Sequence, residues 1–115
     1  MERPKFYLTT KTTDSTEYQI VLETEIAKDC KGVSFFTLAV DPDPNALYRI
    51  IVGKLMDVTE LELTSIWSLN LPHLTTGVYK GLLPGDQIIV WHRSISPDLT
   101  VKTGVTCSFN EVTDF

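Results

Sequence analysis

An alternation of apolar and polar residues recurs along most of this chain and constrains its fold more than any other feature. Successive side chains of a β-strand point to opposite faces of the sheet, so a period of two indicates a strand with one buried face. Such a face has to be covered by a second layer. The pattern therefore predicts a β-sheet domain. It is clearest in the last part of the chain, at Leu99, Val101, Thr103, Val105, Cys107 and Phe109.

A tight turn is predicted at Pro84-Gly85-Asp86. Proline presets its φ angle, glycine accepts the positive φ that follows, and the aspartate side chain can bond the nearby backbone. The turn leads into a strand at residues 87–91. Alternation in this strand places Ile88 and Val90 on one face. Gln87, Ile89 and Trp91 then share the other face.

The same reasoning predicts about eight strands, joined by turns, in an antiparallel β-sandwich or jelly roll that forms a single domain over residues 1–115. The run at 33–40 is almost continuously apolar, which is typical of a strand that is buried on both faces. Gly53 is interpreted as a bulge, and the prolines within 41–45 predict a loop. The strands before the turn are predicted at 6–12, 17–26, 33–40, 47–55 and 58–71.

Two of these segments also carry helical signals. Asp14 with Glu17, and Asp57 with Glu60, have the spacing of a helix capping box. Helices near 15–31 and 57–70 would make the chain an α+β domain instead. We favour strands, because residues 17–26 alternate and no compact apolar stripe forms on a helical wheel. The face predicted for that strand consists of Tyr18, Ile20, Leu22, Thr24 and Ile26, with Val21 on the polar side.

Composition argues against several classes of partner. The 115 residues carry a net charge of −5 without a basic cluster, whereas binding to phosphates or to anionic lipid depends on Lys and Arg. No apolar run approaches the ~20 residues that span a bilayer. Neither nucleic-acid binding nor membrane insertion is expected.

The first residues lack the apolar region of a signal peptide. Cys30 and Cys107 are compatible with one disulfide or with two reduced, buried thiols.

No set of residues predicts catalysis, a metal or a cofactor. Asp41, Asp43 and Asn45 have the spacing that begins a calcium loop, but Ala46 and Val52 stand where that loop needs glycine and glutamate, so a solvated acidic turn is expected. The chain has neither a nucleophile elbow nor a glycine-rich phosphate loop.

The histidines lack metal-ligand neighbours in the sequence. His73 follows Pro72 in a predicted loop, and His92 ends a predicted strand. A zinc site would require a speculative combination of Cys30, Cys107 and His92. We expect both histidines to be surface or capping residues, and we expect no enzymatic activity.

Ile89 and Trp91 are the strongest candidates for an interface. If Ile88 and Val90 face the core, both larger side chains point outward, and exposed apolar residues of this size mark interaction surfaces. A central strand that is covered on both faces is the alternative.

The last third of the chain resembles the C-terminal strands of the tumour necrosis factor-like jelly-roll family. The resemblance is carried by Gly77-Val78-Tyr79, by the Leu-x-x-Gly-Asp turn at 82–86 and by the small-residue-plus-Phe pattern at 104–109. The family's central Gly-x-Tyr strand motif is missing from the first two-thirds. The resemblance implies a homotrimer that binds receptors between its subunits, with Tyr79 and Trp91 at subunit or receptor contacts. Viral and phage fibre heads have similar architectures, so an extracellular or virion-surface location is implied.

Three functions follow from these expectations. The favoured one is a non-enzymatic recognition domain, a homotrimeric head that binds a receptor or another protein. A structural virion or capsid-type subunit is the first alternative. The second, tied to the helical interpretation, is a small α+β enzyme or ligand-binding protein.

Overall fold

A computed structural model describes residues 2–54, 56–62, 67–70 and 82–113. Within these ranges the protein is all-β and consists of antiparallel sheets that pack face to face as a sandwich, which confirms the predicted fold class. No helix in the described part of the chain is long and apolar enough to cross a membrane. The strands are β1 (Glu2–Thr13), β2 (Gln19–Glu25), β3 (Gly32–Asp41), β4 (Ala46–Val52), β5 (Met56–Glu62), β6 (Trp67–Asn70), β7 (Gln87–Ser94) and β8 (Val101–Val112).

The strands pair in a nested order. Sheet A has the order β1-β8-β3-β6, and sheet B has the order β2-β7-β4-β5. The first strand therefore pairs with the last, the second with the seventh, and so on inward to β4 and β5. The helical alternatives are wrong over residues 19–25, 56–62 and 67–70, which form strands. Their cross-strand pairing outweighs the local capping signals.

The core lies between the two sheets and is built from alternate residues of each strand. In β8 the buried side chains are those at odd-numbered positions from Val101 to Phe109, as the alternation predicts. The prediction that residues 33–40 are buried on both faces is wrong. Phe36, Leu38 and Val40 are at most 1% exposed, whereas Thr37 and Ala39 between them are only half-buried. One face of β3 therefore lines the core and the other lies on the outside of sheet A.

A bulge in β2 changes the face predicted for Ile20. The β2–β7 register shifts between Ile20 and Leu22, and Val21 and Leu22 are both buried. The extra residue reverses the phase of the alternation. Ile20 therefore points outward and is 47% exposed, although the sequence pattern placed it on the same face as Leu22.

The predicted turn at 84–86 is present. The Asp86 N–H donates to the Leu83 carbonyl over 3.0 Å, and Gly85 has a φ of 88°. The Asp86 carboxylate accepts the Leu83 N–H over 2.9 Å. The turn is also tied to the end of β2, because the Ile26 N–H donates to the Asp86 carbonyl and the Gly85 N–H to the Ile26 carbonyl.

Gly53 belongs to a turn after β4, and its interpretation as a bulge within a strand is wrong. Its φ is 51°, and its N–H donates to the Gln87 carbonyl over 2.8 Å. A Cβ atom at this position would lie 2.7 Å from Asp86 Oδ2. The two turns thus pack against each other at one end of sheet B.

An ionic cluster fastens the loop between β2 and β3 to the ends of β1 and β8. The buried Glu111 carboxylate accepts the Ala27 N–H over 2.7 Å, and Arg3 Nε lies 3.4 Å from its other oxygen. The Arg3 guanidinium also donates to both oxygens of Asp29. These hydrogen bonds lower the pKa of the Asp29 carboxyl.

We expect Gly85→Ala to destabilise the protein by about 1 kcal/mol, because an L-residue adopts this positive φ unfavourably. The nearest atoms to an added Cβ belong to Lys28, at 3.8 Å, so the effect arises from the backbone. Urea unfolding measures it. Lys28→Ala is the control, since it removes the side chain nearest to Gly85 and leaves the backbone of the turn unchanged. Equal stability of Gly85→Ala and the wild type would contradict the assigned turn.

Cys30 and Cys107 are both free and buried. Burial raises the pKa of the Cys107 thiol to about 12, and the Cys30 thiol donates to the Ala27 carbonyl over 3.0 Å. Because a reagent has to reach the sulfur atom and both cysteines are buried, we expect neither to react with a thiol reagent in the native protein at pH 8. Both should react in denaturant. Stoichiometric labelling of the native protein would contradict this burial.

Candidate functional site

The outer face of sheet B carries a cluster of aromatic, arginine and isoleucine side chains. We call it the Trp91 face; its members are Tyr18, Ile20, Arg49, Trp91 and Arg93. Strand β7 positions the centre of this face by alternation. Ile88, Val90, His92 and Ser94 are buried between the sheets, whereas Trp91 and Arg93 point outward and are half-buried.

Arg49 and Trp91 form the centre of this face. They are directly opposed in the β4–β7 register, and the guanidinium carbon of Arg49 lies 4.8 Å from the Trp91 ring centroid. This is a cation–π contact, worth about 0.5–1 kcal/mol when exposed and about 2 or more when desolvated. Arg49 Nε has no hydrogen-bond partner among the described residues. The contact holds the indole and the guanidinium group against each other.

A second cation–π contact lies beside the first. The Arg93 guanidinium carbon is 5.6 Å from the Tyr18 ring centroid, and Arg93 Nη2 is 2.6 Å from a Glu60 carboxylate oxygen. The hydrogen bond from Arg93 to Glu60 raises the pKa of the guanidinium. Glu60 has a φ of 60°, which is uncommon outside glycine, and it lies beside a register shift between β4 and β5. This irregular backbone brings the Glu60 carboxylate to Arg93.

Ile89 points outward, as the alternation predicts, but neighbouring side chains cover it. It lies between Glu23 of β2 and Ile51 of β4 in the register and is only 6% exposed. It therefore offers little area for contact with a partner. Tyr79, the other predicted interface residue, lies outside the described residues.

Sequence reasoning identified Trp91 but missed the side chains around it. Arg49 lies inside the predicted strand 47–55, and a charged residue in an otherwise apolar strand marks an outward position; that signal could have found it. Ile20 could not be found, because the β2 bulge that turns it outward has no glycine or other mark in the sequence. Tyr18 and Arg93 are brought together only by the pairing of β2 with β7.

The residue types on this surface are those that are common at protein interfaces. Trp, Tyr and Arg are the residues that most often dominate binding energy at interfaces, because they bury a large area and also donate hydrogen bonds. Acidic side chains of Glu23 and Glu60 lie at its edges. An apolar and aromatic centre with a charged rim is the usual organisation of a protein interface.

The predicted metal and catalytic candidates have structural roles or lie outside the described residues. The Asp43 carboxylate accepts the Asn45 N–H at 2.9 Å and the Lys102 N–H at 3.1 Å, which holds the acidic turn against β8. His73 lies outside the described ranges. Among the described residues, no three His, Cys, Asp or Glu side chains are close enough together to bind a metal. The speculative set of Cys30, Cys107 and His92 is therefore wrong, since burial in the sandwich does not bring these side chains together.

His92 belongs to a buried polar bridge between the two sheets. Its Nδ1 lies 2.8 Å from Thr103 Oγ1 of sheet A, which lies 2.8 Å from the hydroxyl of Tyr48. That hydroxyl accepts the Asp43 N–H over 2.8 Å. Burial lowers the pKa of His92 and raises the pKa of Tyr48. Both groups are neutral at pH 7, and the bridge satisfies their polar atoms in the core.

The pKa of His92 predicts a loss of stability in acid. Its folded pKa lies below the ordinary value of about 6.5, so the unfolded chain binds more protons as the pH falls through that value. The free energy of unfolding should decrease from pH 7 to pH 5, by at most about 1.4 kcal/mol per pH unit from this group. Urea unfolding of the wild type and His92→Gln isolates the effect. Parallel pH dependence of the two proteins would contradict it.

Neither protein-family models nor curated protein sequences give a match to this chain.

Proposed function

We propose that this protein is a non-enzymatic recognition domain that assembles as a homotrimer and binds a protein partner, with the Trp91 face at its contacts. The observation that carries the proposal is the stack of Arg49 on Trp91 on the outer face of a strand whose other face forms the core. Two side chains of the types that contribute most binding energy at interfaces therefore have fixed positions in the unbound protein. Such preorganisation reduces the entropy lost on binding.

The unused guanidinium N–H strengthens this interpretation. Arg49 Nε is shielded from solvent and has no hydrogen-bond partner among the described residues. A shielded donor without an acceptor is unfavourable, and native proteins rarely leave one. A carbonyl or carboxylate from a partner protein would satisfy it. Burial of the Trp91 ring in the same contact would also strengthen the cation–π interaction, because the charge is then desolvated.

The nested pairing of strands supports the jelly-roll part of the proposal. A jelly roll is a sandwich of two sheets in which paired strands wrap around a common core. The pairs β1–β8, β2–β7, β3–β6 and β4–β5 alternate between sheets A and B, as such wrapping requires. The tumour necrosis factor-like resemblance of the last third agrees with this arrangement and is the source of the expected threefold assembly.

We expect the solution mass of the wild type to equal three chains or a multiple of three chains. The mass of the Trp91→Ala protein should not be a multiple of three chains. The substitution removes both the indole and the platform on which Arg49 is stacked. Light scattering on a sizing column measures the mass. Leu83→Ala is the matched control, because Leu83 is 47% exposed but belongs to the turn at the end of sheet B.

The outcomes separate the candidate functions. A mass that is no multiple of three in both proteins would reject the homotrimer. Assemblies far larger than a small oligomer would favour a capsid-type subunit instead. Circular dichroism of the Trp91→Ala protein verifies that it is folded, and a half-buried surface residue should tolerate this substitution with its sheet intact.

A further inference from the structure

The outer face of sheet A carries a second apolar surface that the Trp91 face does not include. Phe6 and Leu8 of β1 are 67% and 70% exposed, the highest values among the large apolar side chains of the described residues. Both are at even-numbered positions of β1, which point away from the core. Large apolar residues with this exposure on adjacent outward positions mark an interaction surface.

A hollow lies beside these two side chains on the same face. It has a volume of about 220 Å³ and is bounded by Leu8, Thr10, Ala39, Asp41, Gly104 and Thr106. The hollow exists because Gly104 and Ala39 face outward at the centre of the sheet, where larger side chains would fill the space. A cavity of about 150 Å³ accommodates a benzene ring, so this hollow is large enough for a phenylalanine side chain.

The strand register fixes the relation between the protruding side chain and the hollow. Phe6 opposes Ser108, Leu8 opposes Thr106, and Thr10 opposes Gly104. Gly104 is therefore four residues along and one strand across from Phe6, roughly 14 Å away by standard strand spacings. Leu8 lies close to the midpoint between them.

From this arrangement we infer that sheet A pairs two copies of this chain, outer face against outer face. A two-fold axis that lies parallel to the sheets and passes beside Leu8 carries Phe6 of each copy onto the hollow of the other. A two-fold interface is self-complementary, so both insertions form together. Leu8 then meets Leu8 of the second copy near the axis.

The composition of this face favours a second copy. Between Phe6 and the hollow the outward residues of β8 and β3 are small and uncharged, namely Thr106, Ser108, Thr37 and Ala39. Small residues let a second sheet approach to the usual ~10 Å. Asp41 is the charged residue at the hollow, at its far edge, which leaves the centre free of the like-charge repulsion that would oppose a symmetric pair.

Two substitutions test this dimer, one in the inserted side chain and one in the hollow that receives it. Phe6→Ser removes the inserted side chain. Gly104→Val narrows the hollow by placing an isopropyl group at its base, and its Cβ would be 3.5 Å from Asp41 Cβ and 3.8 Å from Thr10 Oγ1, which are ordinary contacts. Valine also suits a strand, so a folded protein is expected. The control is Ile95→Ser, because Ile95 is 49% exposed but lies in the loop after β7.

Sedimentation equilibrium measures the result. We expect Phe6→Ser and Gly104→Val each to halve the mass of the wild type, and Ile95→Ser to leave it unchanged. In the Trp91→Ala chain, which lacks the contact proposed above, the expected mass is two chains, falling to one when Gly104→Val is added. A folded Gly104→Val protein with the wild-type mass would overturn the dimer. So would a Trp91→Ala protein that remains a single chain at every concentration.

Discussion

The rest of the structure depends on the pairing of the central strands β7 and β8 with their neighbours. Each is paired along its length with a strand on both sides, β8 with β1 and β3, and β7 with β2 and β4. Their inward side chains form the middle of the core, and the Thr103–His92 hydrogen bond joins them across it. Since β1, β2, β3 and β4 take their register from these two strands, the outward residues of both candidate surfaces are positioned by them.

This arrangement explains how both candidate surfaces arise. On sheet B the register of β7 sets Trp91 opposite Arg49, and the β2 bulge adds Ile20 at the edge of the same face. On sheet A the register of β8 sets Gly104 beside Thr10, which opens the hollow next to Leu8. A one-residue slip in either register would turn these side chains into the core, so the surfaces are as strongly specified as the core itself.

Polar groups inside the sandwich help to determine how the two sheets are aligned. The Tyr48 hydroxyl and the His92 ring are buried, and a shift of one sheet along the other would break the hydrogen bonds of both groups to Thr103. The penalty for an unpaired buried polar group, about 1–3 kcal/mol, favours the observed alignment of the sheets. At the other end of β8, the buried Glu111 carboxylate accepts the Ala27 N–H and so fixes the position of the loop between β2 and β3. These polar contacts hold the core together and do not belong to either candidate surface.

The sequence by itself determined the fold class, the turn at Gly85 and the two faces of β7, because each depends on local chemistry: alternation, proline and glycine geometry, and the burial of one strand face. It did not determine that Ile20 turns outward, that Arg49 stacks on Trp91 or that Phe6 lies near a hollow. Those features require knowing which strands are neighbours and in which register. Pairs such as Arg3 with Glu111 join opposite ends of the chain, and only the tertiary structure decides them, since a strand's own residues do not encode its partner.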